Sequence, residues 1–356
     1  MNMVNMAYFV TILVAEIPTG AIADVYGRKI SYLFSSLLLA AGFFIYGSSG
    51  SLLGFIAAEI TAAVGATCES GAYQAWLVDS LKHEGYKKPL NNIFARETAI
   101  STVASICAAI IGSVLADINP VLPWYCGGSV MIVSSILTLL LMKEEYFVRG
   151  DYKIKEKFTE MKQTVKASIS FAIKDKTVRF ILLLGTLQYF AIQAPNMQWQ
   201  PLYLGITGKH TMLGWIWAGI ALLSALGGMM SLAVLKRVDG DEKRALVASQ
   251  ISIGIGVALA GAFRLLPISL TIFLLHEIAR GVFKPLHDVY LNDNIPSKER
   301  ATIISCGSIF RHFGGIFGLL FSGFVALKTS IPTTWIISGT VLVIGTLIIA
   351  KNGKKH

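Results

Sequence analysis

The first two long apolar runs of the chain are joined by Gly20-Ala-Ile-Ala-Asp24-Val-Tyr-Gly27-Arg28-Lys29. This stretch predicts a tight reversal at a membrane surface. Gly20 and Gly27 carry no Cβ atom, so two helix ends can approach closely there. Asp24 follows a helix end that would favour a cation, and we therefore expect it to have a specific partner elsewhere in the chain. Arg28 and Lys29 mark the cytoplasmic side by the positive-inside rule.

The composition is that of a membrane protein. Of the 356 residues, 54% are hydrophobic and only 15% are charged, which is too little charge for the surface of a soluble protein of this size. Runs of about 20 apolar residues, the length that crosses a bilayer as a helix, recur along the chain. We predict an all-α, polytopic membrane protein with eleven spans, near residues 3–23, 30–48, 52–79, 92–116, 121–142, 179–203, 211–235, 245–263, 267–290, 301–326 and 331–350.

The net charge of +10 follows the predicted topology. When loops are assigned to alternate faces, one face holds most of the Lys and Arg residues and the other holds Lys209, Arg264 and Lys328. Such asymmetry orients a protein towards anionic cytoplasmic lipid. We therefore expect a multi-pass protein of the plasma or inner membrane that contacts lipids and binds no nucleic acid.

The four cysteines lie in or beside apolar segments and form no C-x-x-C pair: Cys68, Cys107, Cys126 and Cys306. We interpret them as reduced, buried small side chains. The sequence predicts no metal site and no cofactor. The first apolar run lacks a basic start, so no cleavable signal peptide is expected.

The order G-x-x-x-D-x-x-G-R-K of the opening stretch resembles the signature loop of the major facilitator superfamily of transporters. Glu16-Ile-Pro18-Thr precedes it, as in many members. The alternative is an ordinary basic loop between two spans. In the family this loop follows the second of twelve helices, so the chain looks as though the first helix, which lines the transport cavity, is absent or was excluded by a late start codon.

The resemblance implies two helix bundles. We expect residues 1–142 to hold the equivalents of spans 2–6, residues 143–178 to form a cytoplasmic linker and residues 179–356 to hold the equivalents of spans 7–12. The linker carries apolar residues at helical spacing, which favours an amphipathic helix on the membrane surface, with a solvated linker as the alternative. These residues are Ile154, Phe158, Met161, Val165 and Ile169.

A faint internal repeat supports duplication of one bundle. Gly71-Ala-Tyr73 corresponds to Gly281-Val-Phe283, and Arg96-Glu-Thr98 corresponds to Arg300-Ala-Thr302. Transporters of this kind bind their substrate near the membrane midplane, between the two repeats.

The resemblance also implies a gate at the cytoplasmic side. Asp24 and Arg28 are expected to form part of a charge latch, and Asp79 with Arg96 a second pair between neighbouring helices; static pairs that only fix the topology are the alternative. The complete gating set is Gly20, Asp24, Gly27, Arg28, Lys29, Asp79 and Arg96.

Ionisable residues inside spans are costly unless paired or hydrated, so each is a functional candidate. Glu16, Glu59 and Glu69 lie within predicted spans of the first half. A buried carboxylate can take up a proton near neutral pH because burial disfavours its charge. We choose Glu69 as the proton carrier, and Tyr73 on the same predicted span as a substrate contact; hydrogen-bonded scaffolding is the alternative for each glutamate.

The second half offers a polar stripe and a group of cations. Tyr189, Gln193, Asn196 and Gln200 are spaced by four, three and four residues beside Pro195, which suits the wall of a wet cavity with a backbone interruption; contacts between helices are the alternative. Further candidates are titratable residues of later spans, namely His276, Glu277, Arg280, Lys284 and Arg311.

The resemblance thus implies a secondary active transporter that moves a small solute by alternating access, with proton coupling and efflux of amphipathic drugs as the leading interpretation. A permease for a specific metabolite or organic anion is the alternative, and a non-transporting membrane sensor or scaffold is the alternative of another class. No enzyme motif is found. The predicted span 92–116, which corresponds to the fifth helix of the family, lacks the glycine-proline motif that drug/proton antiporters carry. We expect a monomer with a small-molecule substrate and protons as its partners.

Overall fold

A computed structural model describes residues 2–145, 147, 175–294 and 300–352. Within these ranges the chain forms α-helices and no β-strand. The helices are α1 (Asn2–Tyr26), α2 (Arg28–Ser48), α3 (Leu52–Glu69), α4 (Ala72–His83), α5 (Asn91–Ile118), α6 (Leu122–Leu141), α7 (Lys176–Thr207), α8 (His210–Arg237), α9 (Glu242–Ala262), α10 (Leu266–Asn294), α11 (Arg300–Lys328) and α12 (Ile331–Asn352).

Ten segments of the described chain are helical, long and apolar enough to cross a bilayer, counting α3 and α4 together as Leu52–His83. The prediction of an all-α, multi-pass fold is therefore confirmed. The first helix, α1, has 25 residues and covers the predicted span 3–23.

The chain divides into two compact units, Met3–Lys162 and Gln163–His356. The division falls inside the predicted linker, residues 143–178. Most of that linker, including every apolar position of the predicted amphipathic helix, lies outside the described residues. Its helical character stays a prediction.

In the first unit, α2 packs against α3, α4 and α6. A Cβ atom at Gly42 of α2 would lie 3.2 Å from the carbonyl oxygen of Ala58 on α3. Close backbone approach through small residues is the usual way in which membrane helices associate. The buried positions of α2 are accordingly small: Ser31, Ser35, Ser36, Ala40 and Gly42.

In the second unit, α9 packs against α10 and α12, α7 packs against α11 and α12, and α8 packs against α10. Its core contains a group of buried aromatic rings centred on Phe273. The ring centroid of Phe273 lies 5.3 Å from that of Trp335 and 5.5 Å from that of Tyr203. All three residues are almost fully buried.

The two units use similar helix pairings. In the first, α2 contacts α3 and α6, and in the second, α9 contacts α10 and α12. They differ near the glycines of the sequence repeat, because α10 is continuous through Gly281 whereas α3 ends at Glu69 and α4 begins at Ala72. Gly71 between them has a φ of 76°, a conformation that is unfavourable for residues with a Cβ atom. The single predicted span at 52–79 is thus two helices.

Candidate functional site

The turn between α1 and α2 consists of Gly27 alone, because α1 ends at Tyr26 and α2 begins at Arg28. Gly27 has a φ of 97°, which only glycine adopts readily. Gly20 lies inside α1, and a Cβ atom there would meet no described atom within 4 Å. The predicted close approach at Gly20 is therefore wrong, because α1 continues past this position.

Arg28 forms an ion pair with Asp79 of α4. The prediction of an ion pair between Asp79 and Arg96 is wrong, because Asp79 pairs instead with Arg28, the first residue of α2. The side chain of Asp24 lies outside the described residues, so its contact with Arg28 stays a prediction. The ammonium group of Lys29 donates to the carbonyl oxygen of Leu139, near the end of α6, at 2.9 Å.

Sequence interpretation missed Glu144, which lies just beyond α6. Its carboxylate oxygens accept hydrogen bonds from the backbone N–H groups of Arg28, at 2.8 Å, and Lys29, at 3.1 Å. These N–H groups lie in the first turn of α2 and have no acceptor inside that helix. Glu144 is more than 100 residues from this turn in the sequence. The sequence shows only that both are predicted to lie at the same membrane surface, which does not predict a contact between them.

The three carboxylates of the early spans lie in different environments. Glu16 and Glu69 are exposed, whereas Glu59 is half-buried. Glu69 is the last residue of α3, and the helix breaks directly after it.

A cavity of about 590 Å³ lies within the first unit, among α2, α3, α4 and α5. Three of its lining residues, Glu69, Tyr73 and Arg96, are predicted site residues. Sequence interpretation missed Tyr32, which lies in an uncharged run, and Glu97, which adjoins Arg96 in the repeated segment. The complete lining is Tyr32, Glu69, Tyr73, Leu77, Ile93, Arg96, Glu97, Ile100 and Ser101.

The lining of this cavity combines three kinds of chemistry. The rings of Tyr32 and Tyr73 lie with their centroids 5.8 Å apart, beside leucine and isoleucine side chains. Two carboxylates, of Glu69 and Glu97, face the same space as the guanidinium of Arg96. Such a lining suits a small molecule that has both an apolar body and a charged or polar group.

The four residues of the predicted polar stripe of α7 differ in burial. Gln193 is buried, Asn196 is half-buried, and Tyr189 and Gln200 are exposed. Because α7 packs against several helices, α10, α11 and α12, residues on successive turns meet different surroundings. The helix also continues through Pro195, where the sequence predicted an interruption.

Arg280 of α10 connects the stripe with the predicted cations. Its Nη1 atom lies 2.7 Å from Glu277 Oε1 and 3.2 Å from Asn196 Oδ1. Glu277 is 2% exposed, and His276 Nε2 lies 3.5 Å from the same Glu277 oxygen. We call Asn196, Glu277 and Arg280 the α7–α10 junction. A charge-paired junction inside a membrane span is a functional candidate.

The other predicted cations are not part of the junction. Lys284 is exposed. The guanidinium carbon of Arg311 lies 5.8 Å from the ring centroid of Tyr189, which is a cation–π contact between α11 and α7. The structure therefore brings predicted residues of the second unit together at two places, the α7–α10 junction and the contact of Arg311 with Tyr189, rather than in one cluster.

Comparison with known proteins identifies the family. A family model described as Major Facilitator Superfamily matches residues 1–240 and, in a second match, residues 209–352. The chain is 24% identical over 349 residues to the "Uncharacterized MFS-type transporter YxaM" of Bacillus subtilis (strain 168), an alignment that covers 93% of this chain and 82% of YxaM.

Solved transporter structures have a similar fold. The nucleoside transporter NupG superimposes with a TM-score of 0.78 at 15% identity, over 100% of this chain and 90% of NupG. A POT family transporter in complex with 5-aminolevulinic acid gives a TM-score of 0.72 at 12% identity, over 98% of this chain and 87% of that one. At these identities the likeness concerns the fold alone. The family matches and the membrane-spanning helices lead to one conclusion: the chain belongs to the Major Facilitator Superfamily and is a multi-pass membrane transporter of that type.

Proposed function

We propose that the protein is a proton-coupled transporter that exports small amphipathic molecules by alternating access. The observation that carries this proposal is the cavity of the first unit, where Glu69 lies at a helix break beside aromatic and apolar side chains. Discontinuous helices in membrane transporters commonly form substrate and coupling-ion sites.

Glu69 is the proposed proton carrier. Within the described residues its carboxylate takes part in no ion pair, although Arg96 lines the same cavity. An unpaired carboxylate at the wall of a cavity can exchange a proton as its surroundings change between the two sides of the membrane. Its place at the cavity wall lets the proton and the solute influence each other directly.

The lining favours a solute with an apolar body and positive charge. Glu69 and Glu97 supply two negative charges against the single positive charge of Arg96, and tyrosine faces attract cations. We propose Tyr32 and Tyr73 as the stacking surface for the solute. The remaining predicted residues, including the α7–α10 junction, stay proposed substrate contacts of the second unit.

A permease for organic anions is the second candidate. It is favoured by the cations of the second unit, since Arg311 lies on the ring of Tyr189 and Lys284 is exposed. Under this alternative Arg280, Lys284 and Arg311 would hold a carboxylate or phosphate group.

The proton proposal is tested with inverted membrane vesicles whose interior is made acidic, with ethidium as the cationic probe and fluorescein as the anionic probe. The parent chain is expected to accumulate ethidium until a protonophore is added. Glu69→Gln, which cannot release a proton, should lower this accumulation about tenfold or more. The control Glu84→Gln changes an exposed carboxylate just beyond α4 and should leave the accumulation unchanged.

Two results would contradict these assignments. Full gradient-driven accumulation by Glu69→Gln would remove Glu69 as the proton carrier. Accumulation of fluorescein without ethidium would favour the organic-anion permease over the exporter of amphipathic cations.

A further inference from the structure

We propose that Glu144 is a clamp that fastens the end of α6 to the turn before α2. The first N–H groups of α2 need acceptors from outside the helix. Gly27 precedes α2 and has no side chain to supply one. The Glu144 carboxylate takes this place, with one oxygen 2.8 Å from the Arg28 nitrogen and the other 3.1 Å from the Lys29 nitrogen. Hydrogen bonds from backbone N–H groups to a carboxylate are among the stronger ones in proteins, and the helix dipole adds to them.

Gly27 and Glu144 depend on each other. A Cβ atom at Gly27 would lie 2.6 Å from Glu144 Oε2, a separation at which one group must move. The glycine therefore has two separate roles: it adopts the positive φ that the turn needs, and it leaves room for the carboxylate. These two roles can be separated by mutation, since only the second requires Glu144.

Neighbouring contacts join α2, α4 and α6. Lys29 donates from its ammonium group to Leu139 of α6, and the indole nitrogen of Trp76 on α4 donates to the carbonyl oxygen of Lys143 at 2.8 Å. Together with the ion pair between Arg28 and Asp79, these contacts hold the start of α2, the middle of α4 and the end of α6 beside one another. A displacement of the residues that follow α6 would therefore disturb the turn at Gly27. This inference depends on neither the solute nor proton coupling.

A double-mutant cycle tests the clamp. The thermal unfolding midpoint of the full chain in detergent is measured for the parent, Gly27→Ala, Glu144→Ala and the double variant. We expect Gly27→Ala to lower the unfolding midpoint about half as much or less when Glu144 is already alanine. The alanine Cβ atom then has no carboxylate to overlap, and only the cost of a positive φ at a residue with a Cβ atom remains. Glu145→Ala, at the exposed neighbouring position, is the matched control and should combine additively with Gly27→Ala. Additive losses in both cycles would overturn the proposal.

A second measurement applies even if the glycine variant does not fold. Hydrogen exchange at the amides of Arg28 and Lys29 reads the two hydrogen bonds directly. Glu144→Gln should speed this exchange about tenfold, because the amide loses the charge and one of the two acceptor oxygens. Glu145→Gln should leave it at the parent rate. Equal exchange in both variants would mean that Glu144 does not hold the turn.

Discussion

Glu277 and Arg280 form a pair whose two members are unequally buried. Only 3% of the Glu277 side chain is accessible, against 27% of the Arg280 side chain. An isolated charge is costly where it cannot reach water. The buried Glu277 carboxylate therefore needs its partner's charge more than Arg280 does. Arg280 is partly accessible and also contacts Asn196, so it keeps an interaction when Glu277 is changed.

This asymmetry predicts the outcome of two substitutions. Arg280→Met leaves Glu277 buried without its cation and should cost about 3 kcal/mol of stability. Glu277→Gln keeps the shape and a hydrogen-bond acceptor and should cost about 1 kcal/mol. The comparison is made by thermal unfolding of the two variants in the same detergent. Equal losses, or a larger loss for Glu277→Gln, would contradict the proposed dependence.

The sequence indicates which residues are candidates for functional contacts, but not which residues they contact. The polar residues of α7 and the cations of α10 were identified as candidates, because charges inside spans stand out. Their pairing through Asn196 and Arg280 depends on how two helices pack, which spacing along one helix does not give. Glu144 and Tyr32 were missed for the same reason: their partners are distant in sequence.

At the level of helices, α8 and α10 cross at two glycines. A Cβ atom on Gly227 would overlap the carbonyl oxygen of Ile278, and one on Gly281 would overlap that of Ser224. The two backbones are thus in direct contact, which is how small residues stabilise helix pairs in membranes. The neighbouring Gly228 has only one described atom near its Cβ position, at 3.9 Å.

The crossing predicts different effects for two adjacent glycines. Gly227→Ala should push α8 away from α10 and cost about 2 kcal/mol. Gly228→Ala should be neutral or slightly stabilising, because alanine is the better helix former by about 1 kcal/mol and has room there. Thermal unfolding of both variants, made in the same background, gives the comparison. A Gly227→Ala variant as stable as Gly228→Ala would show that the helices do not touch at this point.

Hydropathy located the membrane helices well because each must bury about 20 apolar residues. It did not separate α3 from α4, since one glycine with a positive φ interrupts the helix without changing the apolar pattern. The opposite happened at Pro195, where the residue type indicated an interruption and α7 remained helical. In both places local backbone conformation and helix packing decide the outcome.

At the scale of the whole chain, the signature loop, the apolar runs and the internal repeat together predicted the family and its all-α fold. The similar helix pairings of the two units agree with a duplicated bundle. The fold does not predict the identity of the solute or of the coupling ion, because members of one fold family carry different binding residues. Those properties depend on a few side chains, and we propose that these are the side chains of the cavity beside Glu69.

Proton coupling at this cavity is tested most directly with the purified full chain in liposomes that contain a pH-sensitive dye, with ethidium added outside at equal pH. We predict that ethidium entry is accompanied by alkalinisation of the interior, as protons leave in exchange, and that Glu69→Gln abolishes this pH change. Ethidium entry above that of protein-free liposomes with no change in internal pH would contradict proton-coupled exchange.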